Sequence, residues 1–339
     1  MAELSDQLLL VAILGYAVAM VGHAAEYAFG ANGAVARVAV RAELVGARSA
    51  RASLGADEVP SSPVDPLLRR SLLSPDDTGH EARAPRTRAE LFGLGAVVAT
   101  VLAALAHVGV LVTRGLAAHR VPWGNMYEFV LAACLVGAVT WLVVVAMRPS
   151  ARLLGLFVSL CLVLLLGFAG VVLYTPVAPL VPALNSYWLK IHVSTAATAS
   201  GLLLVGFVPA ALFLIRTSYD RGRRSFPASL GARLPDAATL ERLTFRLHAF
   251  AFPIWTFAVI CGAIWAEAAW GRYWGWDPKE TWAFVSWVVY ACYLHARATP
   301  SVRRTTATWI AVVGWLTMLI NLYVINFVAV GLHSYAGVD

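Results

Sequence analysis

Charge is scarce in this sequence: Asp, Glu, Lys and Arg make up 13% of its 339 residues, where a soluble domain carries about 25%. Cysteine is scarcer still, with only Cys134, Cys161, Cys261 and Cys292. All four fall inside apolar runs and none forms a C-x-x-C pair. That excludes a thiol-disulfide carrier and a c-type cytochrome with its C-x-x-C-H attachment site. The four are expected to be buried small apolar residues. A basic leader is also lacking: acidic Glu3 and Asp6 stand where a signal peptide would be positive, so no cleaved signal peptide is expected. The sequence shows no internal repeat and no soluble domain, so function must lie in its apolar segments and the loops between them.

Apolar residues, by contrast, make up 60% of the chain. They come in uninterrupted runs near the roughly 20 residues needed to cross a hydrocarbon core. Eight runs are predicted to span: 8 to 29, 91 to 113, 125 to 147, 153 to 174, 191 to 215, 247 to 268, 281 to 296 and 306 to 331. Helices are required, because the bilayer offers no water to an open backbone. The expected fold class is therefore all-α, a polytopic transmembrane helical bundle.

Alternating the spans places residues 30–90, 148–152, 216–246 and 297–304 on one side, and these hold 21 of the 26 Lys and Arg. The other side keeps Arg114, Arg120, Lys190, Arg272 and Lys279. By the positive-inside rule the Arg-rich side is cytoplasmic and both termini are external. The net charge of +7 thus follows topology and gives no ground for a nucleic-acid partner. The expected location is a bacterial plasma membrane, as a multi-pass protein in contact with lipid.

Three segments follow: a first span over 1–29, an Arg-rich cytoplasmic linker over 30–90 that includes His80, and a seven-span unit over 91–339. The linker composition, rich in Arg, Ala, Ser, Pro and Asp, predicts disorder or weak helix. A second basic break at 217–246 is expected to carry a short interfacial helix around Leu240 to Leu247.

The densest chemical signal lies between Trp265 and Trp287, where six of the twelve tryptophans fall around one hairpin. An aromatic belt accounts for one or two rings per helix end, not six. Such a surface suits a flat, large, mostly apolar ligand with acidic margins, because aromatic rings stack and bury area at little entropic cost. Heme fits, and imidazole is its commonest axial ligand. His192 at the start of span five and His333 at the end of span eight both fall at the level of the Trp-rich loop. His295 lies 14 residues into a span entered at Thr281, about 21 Å deep, in the cytoplasmic third. Either His248 or His23 is a possible partner at that depth; the alternatives are a structural role for both and an interfacial one for His295 beside Arg297. His107 and His119 read as structural. The run Pro122-Trp123-Gly124-Asn125-Met126-Tyr127-Glu128 reads first as a helix start capped by Asn125, with Glu128 available to orient a histidine or Arg120.

The run Trp270-Gly-x-x-Trp274-x-Trp276-Asp277-Pro278-Lys279-Glu280-Thr281-Trp282, followed by Leu294-His295-x-Arg297 and Gly331-Leu332-His333-Ser334-Tyr335, resembles the CcsA (ResC) family of system II cytochrome c biogenesis, heme handlers marked by a WWD domain, here the external loop at 265–282. With the Asn-x-Tyr-Glu element and His192, the resemblance covers roughly 91 to 337. It implies work with a CcsB/ResB-type membrane partner that moves heme b outward for attachment to apocytochrome c. By position, His192 and His333 are implied as external ligands and His295 as ligand of a deeper heme, whose other ligand comes from the partner. Trp270, Trp274, Trp276, Asp277 and Trp282 are the implied surroundings, with Arg272 or Lys279 meeting the propionates. Two rival readings remain at this stage. A transmembrane b-type electron carrier needs same-helix histidine spacings that are absent here. A hydrophobic-anion transporter needs related halves and broken helices.

Overall fold

The computed structural model of the chain describes residues 1–30, 87–180, 184–329 and 331–333. Expectations for residues 31–86, His80 among them, and for the tail beyond His333 lie outside these. Among the described residues there are eight principal helices: α1 (Ala2–Phe29), α2 (Arg88–Ala118), α3 (Met126–Met147), α4 (Gly155–Val172), α5 (Tyr187–Asp220), α6 (Ala237–Trp270), α7 (Pro278–Ala298) and α8 (Arg304–Leu319). A 3-10 turn, Pro149–Leu154, leads into α4, and α8 continues through a π-helical turn, Ile320–Val324, into Ile325–Val328. No strand occurs among the described residues.

Seven of these, counting the extensions of α4 and α8, are long and apolar enough to cross a membrane. The exception is α7, which has 21 residues and thus a length of about 32 Å. It carries Lys279 and Glu280 in its first turn and His295 and Arg297 in its last. Outward-facing Leu10, Leu14 and Val18 on α1, with Val98, Leu102 and Leu105 on α2, are exposed, an arrangement suited to lipid.

Helix ends follow local chemistry. Thr87 and Glu90 form a capping box that starts α2 just before the predicted boundary at 91, because the cap satisfies two otherwise orphaned amides. Asn125 caps α3 through its side chain to the Glu128 amide at 2.8 Å. The expected interfacial helix near 240 is instead the first part of α6. Asp236 caps that helix, which runs on through Pro253 to Gly271, the left-handed C-cap at φ 70°. Helices α5 and α6, 34 residues each, are about 51 Å long and must project beyond a core of about 30 Å.

The centre of the bundle is α5, which packs on α3, α6 and α8, while α1 pairs with α2 and reaches α4. Small residues allow this. A Cβ on Gly201 of α5 would lie 2.6 Å from the Ala133 carbonyl oxygen, and one on Gly15 of α1 would lie 2.9 Å from the Ala103 Cβ. Close backbone approach of this kind is how helices associate in lipid, where no hydrophobic gain separates side chain from solvent. The cysteines divide: Cys134 and Cys261 are buried and Cys161 is half-buried, as apolar filler, but Cys292 is exposed. Uniform burial is therefore corrected, since Cys292 lies on the outer face of α7, where lipid is as apolar as a core.

Candidate functional site

Four pieces of chain converge at the end of the bundle that the charge distribution assigns to the outside: the start of α5, the end of α6, the loop into α7, and the segment after α8. His192 lies in the second turn of α5. Its Nδ1 donates to the carbonyl of Ala258 on α6 at 2.8 Å; because a carbonyl only accepts, the neutral ring keeps its lone pair on Nε2. The imidazole lies parallel to Trp265, with an interplanar angle of 11° and centroids 6.1 Å apart. Gly262 permits this approach, since a Cβ there would sit 2.7 Å from His192 Cε1.

His333 is held by the loop before α7. Its Nδ1 lies 2.8 Å from Asp277 Oδ2, and the Leu332 amide donates to Asp277 Oδ1 at 2.7 Å. Burial opposes ionisation of Asp277, but the hydrogen bonds from His333 and from the Leu332 and Lys279 amides outweigh it and hold the carboxyl below the usual carboxylate range. Asp277 is also the N-cap of α7, in a capping box with Glu280. One residue thus starts a helix and orients a histidine. Trp265 and Trp270 meet the His333 ring edge-on at 5.8 and 5.2 Å, so Trp265 touches both histidines.

The loop is shaped by Glu280, whose carboxylate accepts from the Gly275 and Asp277 amides at 2.8 and 3.1 Å. Between them Trp276 adopts φ 57°, an uncommon conformation for a bulky residue. The residue is 64% exposed, and its ring meets Trp274 edge-on at 5.7 Å.

Inside lies a cavity whose atom-free space, mouth included, is about 1280 Å³. His192, His333, Trp265, Trp270, Trp274 and Lys279 line its outer part, and Ser200, Trp255 and Trp315 its inner part. Trp255 precedes Trp270 on α6 by 15 residues, so the cavity reaches about 22 Å along that helix. Trp276, Trp282, Arg272 and Asp277, though expected at the site, do not line it. Arg272 is exposed and lies over Gly275. Sequence reasoning missed Trp255, Gly262 and Trp315. The signal for Trp255 and Gly262 was helical spacing, because Trp255, Gly262, Ala266 and Trp270 recur on one stripe of α6; Trp315, on α8, had no such signal.

The start of α3 forms another wall. Trp123 Nε1 donates to Ser194 Oγ on α5 at 2.9 Å. Behind it, buried Glu128 accepts from Arg114 Nε at 2.8 Å and Arg120 Nη1 at 2.7 Å, while Arg114 also bonds the Thr175 carbonyl. Glu128 therefore orients Arg120, as one of the sequence readings had it, and not a histidine.

The remaining histidines stay apart. His248 is buried against Tyr293 and Tyr290, with centroids 5.0 and 5.5 Å away, and its Nδ1 donates to the Thr244 carbonyl at 2.8 Å. His23 lies edge-on to Trp141 at 5.1 Å, and His107 approaches the Tyr16 hydroxyl at 3.4 Å. His295 is exposed in the last turn of α7. Tyr290 and Tyr293, which meet His248, are on the buried side of that helix, so His248 and His295 occupy different faces of it.

The arrangement suits a planar macrocycle with a metal at its centre. Both cavity histidines donate Nδ1–H to a carbonyl or carboxylate, the support that orients metal-bound imidazoles, and the walls are largely aromatic. Among the described residues no cluster of three or more His, Cys, Asp or Glu is built to hold a bare ion.

Residues 123–333 match the family described as Cytochrome C assembly protein. A cytochrome c biogenesis protein CcsA of Guillardia theta is 34% identical over 252 residues, covering 70% of this chain and 83% of its own length. That of Gloeobacter violaceus is 32% identical over 287 residues, covering 70% and 85%. Among solved structures, the cytochrome c heme lyase CcmF aligns with a TM-score of 0.55 at 15% identity, covering 95% of this chain and 46% of its own. That likeness is one of fold, and this chain spans about half the length of that protein.

Proposed function

This chain belongs to the cytochrome c assembly protein family, and from that premise we propose that it presents heme b at the external face of a bacterial plasma membrane for attachment to apocytochrome c. A role in cytochrome c maturation comes with the family; the manner of presentation is our reading of the site. The observation that carries it is the pair of Nδ1-supported imidazoles, His192 and His333, both packed against Trp265 and both lining one aromatic cavity.

The work asked of the residues is holding and orienting. His192 and His333 would hold the iron through their Nε2 atoms, and two imidazole ligands would set its redox state. Trp265, Trp270 and Trp274 bury the ring's faces and edges, and Asp277 acts through His333 by fixing its ring and tautomer. Attachment adds each thiol of a C-x-x-C-H segment across a vinyl group: a C–S bond forms, the thiol proton ends on the neighbouring carbon, and no net electrons are exchanged. A vinyl edge must therefore face the mouth of the cavity. The histidine of that segment would take the place of His192 or His333 when the product leaves.

His295 is assigned to an earlier and deeper stage. Its exposure on α7 supports a second axial ligand from a CcsB/ResB-type partner rather than from His248, which is enclosed elsewhere in the bundle. The test of the external site is maturation itself. His192→Gly and His333→Gly should each abolish holocytochrome c formation, with partial recovery when imidazole fills the vacant axial position. Normal maturation by both single variants would refute the assignment.

A further inference from the structure

We propose that Lys279, and not Arg272, is the residue that recognises a carboxylate of the bound macrocycle, so that the cavity selects a porphyrin bearing free propionates and seats it with that edge toward the start of α3. This rests on the heme reading of the cavity and adds its polarity.

Both cations were candidates from the sequence, and the structure separates them. Arg272 points over Gly275 on the outer side of the loop and is exposed. Lys279 lines the cavity, and among the described residues its Nζ has one hydrogen-bond partner, the Met126 thioether at 3.3 Å. Sulfur is a weak acceptor, whereas an ammonium carries three donors. The nearby acids are committed elsewhere. Asp277 accepts from His333 and two amides, Glu280 from Gly275 and Asp277 amides, and Glu128 from two arginines. On the Lys279 ammonium Asp277 acts through space, not by a hydrogen bond. A cation in a cavity whose carboxylates are all engaged calls for an anion from the ligand. The start of α3 adds to this, since Gly124, Asn125 and Met126 line the same wall and a helix N-terminus favours negative charge. Lys279 also lies near enough to His192 to bear on its charge, so the cation and the axial ligand address one molecule. With the acidic edge fixed there, the opposite, vinyl-bearing edge faces away from α3.

The test compares iron protoporphyrin IX with its dimethyl ester, which lacks both carboxylates, by titration into the full chain in lipid nanodiscs with the Soret band as readout. Wild type should bind the free acid more tightly by about tenfold to a hundredfold, the equivalent of one charge-assisted hydrogen bond. Lys279→Met should bind both porphyrins alike, whereas Arg272→Met should discriminate as wild type does. Comparing the ratio of affinities between proteins cancels partition into lipid. Equal binding of acid and ester by wild type, both with a bis-histidine spectrum, overturns the Lys279 inference and leaves the heme reading intact; this needs no variant to fold. Discrimination that persists in Lys279→Met overturns it as well. Binding of neither porphyrin defeats the heme reading itself and the inference with it.

Discussion

At the scale of single residues, the site is decided by what supports each imidazole. Asp277 is a supporting residue: Asp277→Asn should weaken external heme binding by about tenfold to a hundredfold without loss of α7, because Asn still caps a helix. Its ionisation also sets an acid limit. The folded pKa lies below the ordinary value, so the stabilisation is fully present above the usual carboxylate range, near pH 4, and is lost as pH falls through the lower folded value. The protection factor of the Leu332 amide, which donates to Asp277, should therefore hold from neutrality to about pH 4 and drop below it. An Asp277→Asn protein should show no such acid step, and the same step in the variant would assign it to another group.

The sequence made this scale only partly legible. His192 and His333 stand out by residue type and position, and Trp270, Trp274 and Lys279 by the family resemblance; the fold brings all of them to the cavity. Trp276 and Trp282 were grouped with them because the motif is continuous, but a motif does not show direction. The positive φ of Trp276, imposed by the Glu280 clamp on either side, sends its ring outward. Gly262 was unreadable for the opposite reason: its importance is the absence of a Cβ beside a residue 70 positions away.

At the scale of elements, the α2–α3 connection shows how the cavity wall is kept in place. Glu128 joins two arginines from the preceding helix end and loop, at full burial. Removing one member of such a network strands uncompensated charge, so Glu128→Ala should destabilise the fold by about 3–5 kcal/mol, measured as a lower midpoint of unfolding in a mild detergent series. A change within about 0.5 kcal/mol, the usual range for an unremarkable surface site, would show that the arginines find other acceptors. Helix α7 raises a different question, because it is the element least suited to lipid by composition and it exposes His295 and Cys292. The proposed partner would cover His295 on this face. His295→Ala should leave folding and partner binding unchanged while external heme content falls; an external site that still fills from cytoplasmic heme would leave His295 as an interfacial residue beside Arg297. For the seven apolar helices, existence was plain from hydropathy alone. Helix ends were not, since α5 and α6 outrun the bilayer, and their cytoplasmic turns are polar enough to resemble loops.

At the scale of the whole molecule, the placement of charge ties the cavity to one side of the membrane. Twenty-one of 26 basic residues fall in the segments assigned to the cytoplasm, and the cavity opens at the opposite ends of the same helices. Cysteine labelling from outside intact cells should reach sites introduced at Gly271 and His119 and miss those at Gly222 and Pro300. The reverse pattern would put the cavity on the cytoplasmic side and end the presentation scheme.

The central claim is that one heme sits in the external cavity between His192 and His333. Its most direct measurement is the spin state of the iron in the full chain purified with its partner, read by electron paramagnetic resonance in wild type, His192→Gly and His333→Gly. The low-spin bis-imidazole signal from the external site should disappear in either variant and return when imidazole is added, while the signal assigned to His295 persists. An unchanged low-spin spectrum in both variants would contradict the account.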